Sequence, residues 1–243
     1  MRDYSLETQN RVAFIRKVVE SAGADGVVFA NSGGKDCVLT GALCKLACDN
    51  TVGLILPCGS TRNYGSDKED AEAAAKRFGI ESRYMDLAAA RDEMLRAAEK
   101  ITAPNGAAVT NVAPRLRMNA LYIVAASENR LVAGTGNRSE RYVGYFTKWG
   151  DGACDFNPIS DLTVTEVYAY LRYLGAPDCV IDKAPSAGLY DGQTDEGEMG
   201  VTYRSIDGFL TTGEADPRDA EIIKKRHSQS EHKRRLPYEY KPI

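Results

Sequence analysis

Short apolar runs alternate with longer segments of helical character along the first 136 residues. The runs GVVFAN at 26–31 and TVGLILP at 51–57 are rich in aliphatic residues, and a segment with the wider apolar spacing of a helix follows each of them. Strands that are separated by helices pair in parallel, because a parallel crossover needs a dozen or more residues. The pattern predicts an α/β fold of Rossmann-like type, with three layers and a mostly parallel central sheet.

The same spacing places the other elements. We predict strands at 26–31, 51–57, 80–87 and 130–136, and helices at 5–22, 35–48, 67–79, 90–101, 115–129 and 167–175. Long polar loops occupy 136–162 and 182–200, and the tail at 229–243 is basic before it becomes rich in Pro and Tyr. Loops of this length within a compact domain are usually functional. A length of 243 residues suits one sizeable α/β domain, so we interpret the chain as a single domain that carries these two loops.

Composition excludes several classes of function. The net charge of −3 argues against a protein that binds nucleic acid by charge alone. We find no apolar segment long enough for a signal peptide or a membrane span, so we expect a cytoplasmic protein with no membrane partner. The six cysteines form no CxxC pair and only two histidines occur, which argues against a structural zinc site.

The stretch FANSGGKDC at 29–37 joins a predicted strand to a predicted helix. Two glycines allow a tight turn that exposes backbone N–H groups, and the start of the helix adds partial positive charge, so this turn suits a phosphate group. Ser32 can donate a hydroxyl and Lys35 a cation. Asp36 would repel phosphate unless a cation such as Mg²⁺ lay between them. A tight structural turn with Asp36 as an acidic helix start would look the same.

The motif SGGKDC resembles the pyrophosphate-binding loop of the N-type ATP pyrophosphatases, the PP-loop superfamily with a fold like that of adenine nucleotide alpha hydrolases. Four later segments resemble the ammonia-dependent NAD synthetases within that superfamily. They are 134–175 (beginning GTGNRSERYVGYFTKWGDGACDFNP), NVAPRLRMNALYIVA at 111–125, KAPSAGL at 183–189 and SEHKRR at 230–235. The resemblance covers nearly the whole chain in order, so it is far more specific than the loop alone.

This resemblance implies an enzyme, a ligase that forms a carbon–nitrogen bond in the last step of NAD biosynthesis. ATP would adenylate the nicotinate carboxylate of deamido-NAD and release pyrophosphate, and ammonia would then displace AMP. We see no sequence for the glutaminase domain of glutamine-dependent relatives, so free ammonia or a separate glutaminase is the expected nitrogen source. The segment at 111–125 resembles a dimer-forming helix, which implies a homodimer.

The resemblance also assigns roles to residues. It implies that ATP, the co-substrate, is bound by Ala30, Asn31, Ser32, Gly33, Gly34, Lys35, Asp36, Cys37, Thr135, Val164 and Ser186. It implies that deamido-NAD is bound by Arg115, Lys148, Asp155, His232 and Lys233, through the loops 136–162 and 182–200 and the tail. It implies that Asp36 and Glu140 are the Mg²⁺ ligands, and that no side chain acts as a covalent nucleophile.

Three positions depart from the family pattern. Ser186 stands where the family commonly has threonine, and it keeps the hydroxyl. Val164 stands where the family usually has a lysine, and Cys37 stands where the loop usually ends in serine. Because a helix start can lower the pKa of a thiol, we expect Cys37 to be prone to oxidation. These departures keep open a weakly active, nucleotide-binding regulatory homologue. A separate alternative is another PP-loop ATP pyrophosphatase that modifies tRNA or nucleotides, although the paired cysteines or zinc-type cysteine clusters of such enzymes are absent from this sequence.

Overall fold

The structure, a computed structural model, describes residues 2–190 and 192–240. Its helices are α1 (Tyr4–Ala22), α2 (Lys35–Ala47), α3 (Ser66–Phe78), α4 (Ala88–Glu99), α5 (Gly106–Thr110), α6 (Val112–Ser127), α7 (Arg138–Val143), α8 (Val164–Leu174), α9 (Asp178–Ile181), α10 (Asp195–Met199), α11 (Tyr203–Thr212) and α12 (Pro217–Gln229). Its strands are β1 (Gly26–Ala30), β2 (Thr51–Ile55), β3 (Glu81–Tyr84) and β4 (Arg130–Val132). Short 3-10 helices lie at Thr61–Tyr64 and Glu231–Lys233.

The four strands form one sheet in the order β3-β2-β1-β4, and all pairings are parallel. Val28 at the middle of β1 is in register with Val52 of β2 and with Val132 of β4. The two central strands are buried on both faces, which explains their nearly continuous apolar sequence. The prediction of a parallel α/β sheet is confirmed.

Alternate residues of β1 enter different cores. Val27 and Phe29 pack in a cluster with residues of α1, α2, α3 and α8, whereas Val28 packs in a second cluster with α6. This follows from the period of two in a strand. Helices therefore cover both faces of the sheet, and the three-layer prediction is confirmed. A third apolar cluster contains no strand residue and is built from α7, α8, α10, α11 and α12, with Val201 between α10 and α11.

The predicted elements are correct in type, but most of their boundaries differ by one to a few residues. Two of these differences have a clear physical reason. Strand β4 ends at Val132 rather than at 136, because Ala133 forms an isolated bridge with Phe156 and the Gly134 N–H donates to the Phe156 carbonyl at 2.7 Å. Helix α6 begins at Val112, before Pro114. Proline is tolerated in the first turn, where its missing N–H would have no partner within the helix.

Helix α1 is fixed to the loop before α8 by a guanidinium network. Arg11 donates to the two carboxylate oxygens of Asp161 at 2.7 and 2.9 Å, to Glu7 at 2.7 Å, and to the carbonyl of Pro158. Arg2 adds an ion pair with Asp161 at 2.9 Å. Although partial burial opposes it, hydrogen bonding by Arg11 holds the pKa of Asp161 below its usual range. Within residues 2–190 and 192–240, no helix has both the length and the apolar character needed to cross a membrane.

We predict that Asp161→Asn lowers the free energy of unfolding by about 1–2 kcal/mol at pH 7, because Arg11 and Arg2 lose a charged acceptor. The lowered pKa means that the stabilisation is complete above about pH 4 and is lost as the pH falls through the folded-state pKa. Urea unfolding from pH 7 to pH 3 should show the two proteins converging. The control Asp49→Asn, at an exposed carboxylate 3.7 Å from Lys45, should change the free energy of unfolding little. A difference between wild type and Asp161→Asn that stays the same at all pH values would contradict the assignment.

Candidate active site

The turn between β1 and α2 is forced by close packing. Gly33 has a φ of +70°, and a Cβ there would lie 2.6 Å from the Asp67 carbonyl oxygen and 2.7 Å from the Ala71 nitrogen. Asn31 is buried and donates to the Ala71 carbonyl at 3.0 Å. The turn is therefore pressed against the first turns of α3, and only glycine fits both the conformation and the space.

Helix α2 begins immediately after this turn and presents free backbone donors. Gly34 is its N-cap, with an extended backbone and no side-chain cap hydrogen bond in the described part of the chain. The N–H groups of the first helical turn lack partners within the helix, so they can bind an anion together with the positive end of the helix dipole. Ser32 and Cys37 face each other across the turn, with Oγ and Sγ 3.2 Å apart.

A buried lysine lies between two carboxylates beside this helix start. The Nζ atom of Lys35 is 2.7 Å from Oδ2 of Asp36 and 3.3 Å from Oε1 of Glu140, which belongs to α7. Burial alone would lower the pKa of Lys35, but the two carboxylates raise it above its ordinary value, so the ammonium is retained. Burial, and then the Asp36 charge, raises the pKa of Glu140 to about 8. A cation bound beside Glu140 would therefore favour its ionised form.

Two further residues extend this group. The Tyr203 hydroxyl contacts Oε1 of Glu140 at 3.3 Å and Oδ2 of Asp195 at 2.9 Å. Asp195 also accepts from the Ala187 N–H at 2.9 Å. Burial raises the pKa of Asp195 and, more strongly, that of Tyr203. Tyr203 and Asp195 thus connect Glu140 to the loop that carries Ser186.

The loop at 182–200 is held on the far side of the turn by α3 and by a tyrosine pair. Lys183 binds Asp67 at 2.8 Å and Asp70 at 2.7 Å. The Glu198 carboxylate accepts from Tyr145 at 2.6 Å and also from Tyr190. The loop therefore forms a wall opposite the start of α2.

Together these elements enclose a cavity of about 740 Å³ at the carboxyl ends of β1, β2 and β4, the expected ligand position in such a sheet. The predicted site residues that line it are Ala30, Asn31, Ser32, Gly34, Lys35, Asp36, Cys37, Thr135, Glu140, Ser186 and Lys233. The predicted site residues that do not line it are Gly33, Arg115, Lys148, Asp155, Val164 and His232.

Val164 is the first residue of α8 and is buried among apolar side chains such as Val143 and Met199. Its N–H donates to Ser139 Oγ at 3.2 Å. Asp155 lies at the end of β4, where its carboxylate accepts from the Val132 N–H at 2.7 Å and from Tyr122 at 3.1 Å. Both side chains thus have structural partners outside the cavity.

Three of the other predicted residues meet at its rim. Lys148 donates to the His232 carbonyl at 2.6 Å, and Arg115 lies 3.5 Å from the Lys148 carbonyl. Lys233 donates to the carbonyls of Gly144 and Phe146 at 2.8 and 2.7 Å. The tail is therefore bound to the loop 144–153, as expected if both contact one substrate.

One expectation about Cys37 is wrong. The start of α2 was expected to lower the pKa of its thiol, but burial raises it. A raised pKa leaves less thiolate at neutral pH, so the structure gives no reason to expect unusual oxidation.

The sequence did not single out Arg117, Lys183, Asp195, Glu198 or Tyr203. The long polar loop at 184–200 was marked as functional, which was the available signal for Asp195 and Glu198. Tyr203 lies in α11, far from any recognised motif, so only the folded chain shows its contact with Glu140.

A parallel sheet with this turn at the carboxyl end of its central strand defines a nucleotide-binding α/β protein of the PP-loop class. The profile of the NAD synthase family matches residues 7–240. An NH(3)-dependent NAD(+) synthetase from Carboxydothermus hydrogenoformans is 43% identical over 97% of each chain. The chain belongs to the NAD synthase family.

Solved structures of similar proteins support the same family assignment. The NMN synthetase from Francisella tularensis superposes with a TM-score of 0.93 at 36% identity, covering 99% of each chain. The NH3-dependent NAD synthetase from Campylobacter jejuni gives a TM-score of 0.83 at 27% identity, covering 99% of this chain and 100% of that one. Similarity therefore extends over full length in each case.

We predict that Gly33→Ala destabilises the protein by about 3 kcal/mol or more, because it adds a steric clash with α3 to the backbone strain of a positive φ. The matched control is Gly79→Ala, where φ is +66° but no atom lies within 4 Å of the added Cβ. That variant should lose only about 1–2 kcal/mol. Urea unfolding measures both. Equal losses would show that packing against α3 does not fix the turn.

Proposed function

We propose that this protein joins ammonia to deamido-NAD at the expense of ATP, giving NAD, AMP and pyrophosphate through an acyl-adenylate. The observation that carries the proposal is the meeting of the open helix start of α2 with Asp36 and Glu140 in one cavity. A carboxylate is a poor electrophile, and adenylation gives it AMP as a leaving group. The names of full-length relatives support this reaction.

In this reaction the chain acts mainly by positioning and charge compensation. The turn Ser32–Gly34 and the first turn of α2 would bind the phosphates of ATP. Thr135 and Ser186 line the same cavity and would add hydroxyl contacts. Arg115, Lys148, His232 and Lys233 would bind deamido-NAD, with the loop 144–153 and the tail closing over it. For Asp155, whose carboxylate already accepts from the Val132 N–H and from Tyr122, the same role stays a prediction.

The carboxylates Asp36 and Glu140 fit a Mg²⁺ ion. They are hard oxygen ligands on separate elements that line one cavity. Among the described residues, no cluster of three or more His, Cys, Asp or Glu side chains is arranged to hold a metal ion, so phosphate oxygens and water would supply the remaining ligands. When bound, Mg²⁺ would offset the charge of the phosphate groups.

A second candidate acceptor is nicotinate mononucleotide, the mononucleotide form of deamido-NAD. It presents the same nicotinate carboxylate but lacks the adenylate half. The observation in its favour is the TM-score of 0.93 to a protein named NMN synthetase, against 0.83 to the Campylobacter jejuni NAD synthetase.

We predict that the purified protein, given ATP, Mg²⁺, ammonium and deamido-NAD, forms NAD and AMP in equal amounts, and that Asp36→Ala reduces this rate at least about 100-fold. Liquid chromatography of both products measures it, and nicotinate mononucleotide is compared at the same concentrations. The control Asp49→Ala should keep the wild-type rate. If neither acceptor gives an amidated product under conditions where ATP binds, the proposal is overturned.

We also propose a homodimer through the face formed by α4 and α6. Helix α4 has no buried residue, and Met94 on it and Ile123 on α6 are each 54% exposed. Ile101, just after α4, is 87% exposed. A second copy of the chain would cover these side chains around a two-fold axis.

The six cysteines are all free thiols, which supports the proposal of a cytoplasmic location. The organisation of the chain as a single domain stays a prediction.

We expect the protein to be a dimer at micromolar concentration and Ile123→Glu to be a monomer, because a buried carboxylate at the interface would be unpaired. Light scattering coupled to gel filtration measures the mass. Leu46→Glu is the control, since Leu46 on α2 is 50% exposed on another face. A wild-type monomer, or an Ile123→Glu dimer, would count against this interface.

A further inference from the structure

Arg117 of α6 lines the cavity from the side opposite α8. Its Nε donates to the Leu56 carbonyl at 2.9 Å, just beyond the end of β2. Its Nη2 donates to Oδ1 of Asn63 at 2.9 Å. These contacts hold the guanidinium in place through neutral acceptors. Three of its five N–H donors, including both on Nη1, have no hydrogen-bond partner among the described residues.

The charge of Arg117 also lacks a close counter-ion. Among residues 2–190 and 192–240, no carboxylate lies within 4.0 Å of it, although the residue is partly buried. Nearby Asp67 is taken by Lys183 at 2.8 Å and by Arg62 at 3.3 Å. Desolvation lowers the pKa of Arg117, and the more distant charges of Asp151 and Asp67 do not offset it. A partly buried cation of this kind is unfavourable unless a ligand neutralises it.

Three lysines that also line the cavity, Lys35, Lys183 and Lys233, are already engaged. Lys35 is paired with Asp36 and Glu140, and Lys183 with Asp67 and Asp70. Lys233 donates to two backbone carbonyls. Arg117 therefore keeps more donors open to a ligand than these lysines do. Arg226, which also lines the cavity and donates to the carbonyls of Met199 and Glu198, keeps as many, but its charge acts on the nearby Glu198 carboxylate.

The position of Arg117 limits the kind of ligand. Asn63, which orients its guanidinium, is fixed in turn by Asp67 and the Gly188 carbonyl at 3.0 and 3.1 Å. The guanidinium is thus held between the turn at the start of α2, the loop 182–200 and Asp151 of the loop 144–153. A planar fork of N–H donors suits the oxygens of a phosphate group better than a single point charge does.

We propose that Arg117 binds a phosphate group of a nucleotide substrate in this cavity, acting as a binding residue opposite the start of α2. The assignment rests on the proposed function for the identity of the nucleotides, ATP and deamido-NAD, both of which carry phosphate. Leu56 and Asn63 hold the side chain in the orientation that receives the phosphate.

The test compares Arg117→Met with Arg77→Met by isothermal titration with ATP and, separately, with deamido-NAD. Arg77 is the matched control, because it also donates to backbone carbonyls, those of Gly175 and Leu174 at 2.8 and 3.4 Å, but does not line the cavity. We expect Arg117→Met to weaken at least one of the two nucleotides about 10- to 100-fold, and Arg77→Met to weaken neither by more than about twofold.

The two titrations identify which phosphate is bound. Weaker ATP binding alone places the ATP phosphate at Arg117, and weaker deamido-NAD binding alone places the dinucleotide phosphate there; either supports the proposal. Unchanged binding of both nucleotides, with only a lowered melting temperature, would mean that Arg117 is structural and would overturn it. Because ATP binding is measured without turnover, a wild-type protein that binds ATP but forms no NAD leaves this test intact.

Arg117→Lys keeps the experiment decisive if the methionine variant does not fold. Lysine retains the charge but not the fork, so we expect an intermediate affinity, several-fold weaker than wild type and with a similar melting temperature. Wild-type affinity for both nucleotides in the folded lysine variant, at low and at high salt, would contradict a bidentate phosphate contact.

Discussion

The interaction on which the site depends is the buried ammonium of Lys35 between the carboxylates of Asp36 and Glu140. It joins the start of α2 to α7, two elements that are about 100 residues apart along the chain. Without the cation, burial and mutual repulsion would disfavour two ionised carboxylates at this point. Even beside the lysine, burial and then the Asp36 charge raise the pKa of Glu140. A site built from two hard oxygen ligands next to an open helix start is suited to a magnesium–nucleotide complex.

The remaining architecture places Lys35, Asp36 and Glu140 at the wall of a cavity that substrates can reach. The parallel sheet brings the ends of β1, β2 and β4 to one edge, and the glycine turn at Gly33 fits against α3 because no side chain is present. Tyr203 and Asp195 carry the connection onward to the loop of Ser186. The C-terminal helices thus act on the site through hydrogen bonds to α7 and to the loop, in addition to packing.

The sequence predicted the fold well because strands with buried faces and helices with defined ends leave strong periodic signals. It also predicted the turn at 30–37 and Glu140, since family motifs carry them. It could not predict Arg117 or Tyr203, because each depends on contacts between segments that are distant in sequence. For Val164 the family resemblance was a poor guide to the side chain. This residue stands where the family usually has a lysine, so an ATP contact was expected, whereas its side chain lies in an apolar cluster. The effect of burial on Cys37 likewise depended on its folded surroundings.

The central claim is that the cavity activates a nicotinate carboxylate by attaching AMP to it. The most direct measurement uses deamido-NAD with ¹⁸O in both carboxylate oxygens, and mass spectrometry of AMP after turnover with ATP and ammonium. Attack of the carboxylate on the α-phosphorus transfers one labelled oxygen, so we predict AMP that is heavier by about 2 Da and pyrophosphate without label. Unlabelled AMP accompanying NAD formation, or label in pyrophosphate, would contradict adenylation at this site.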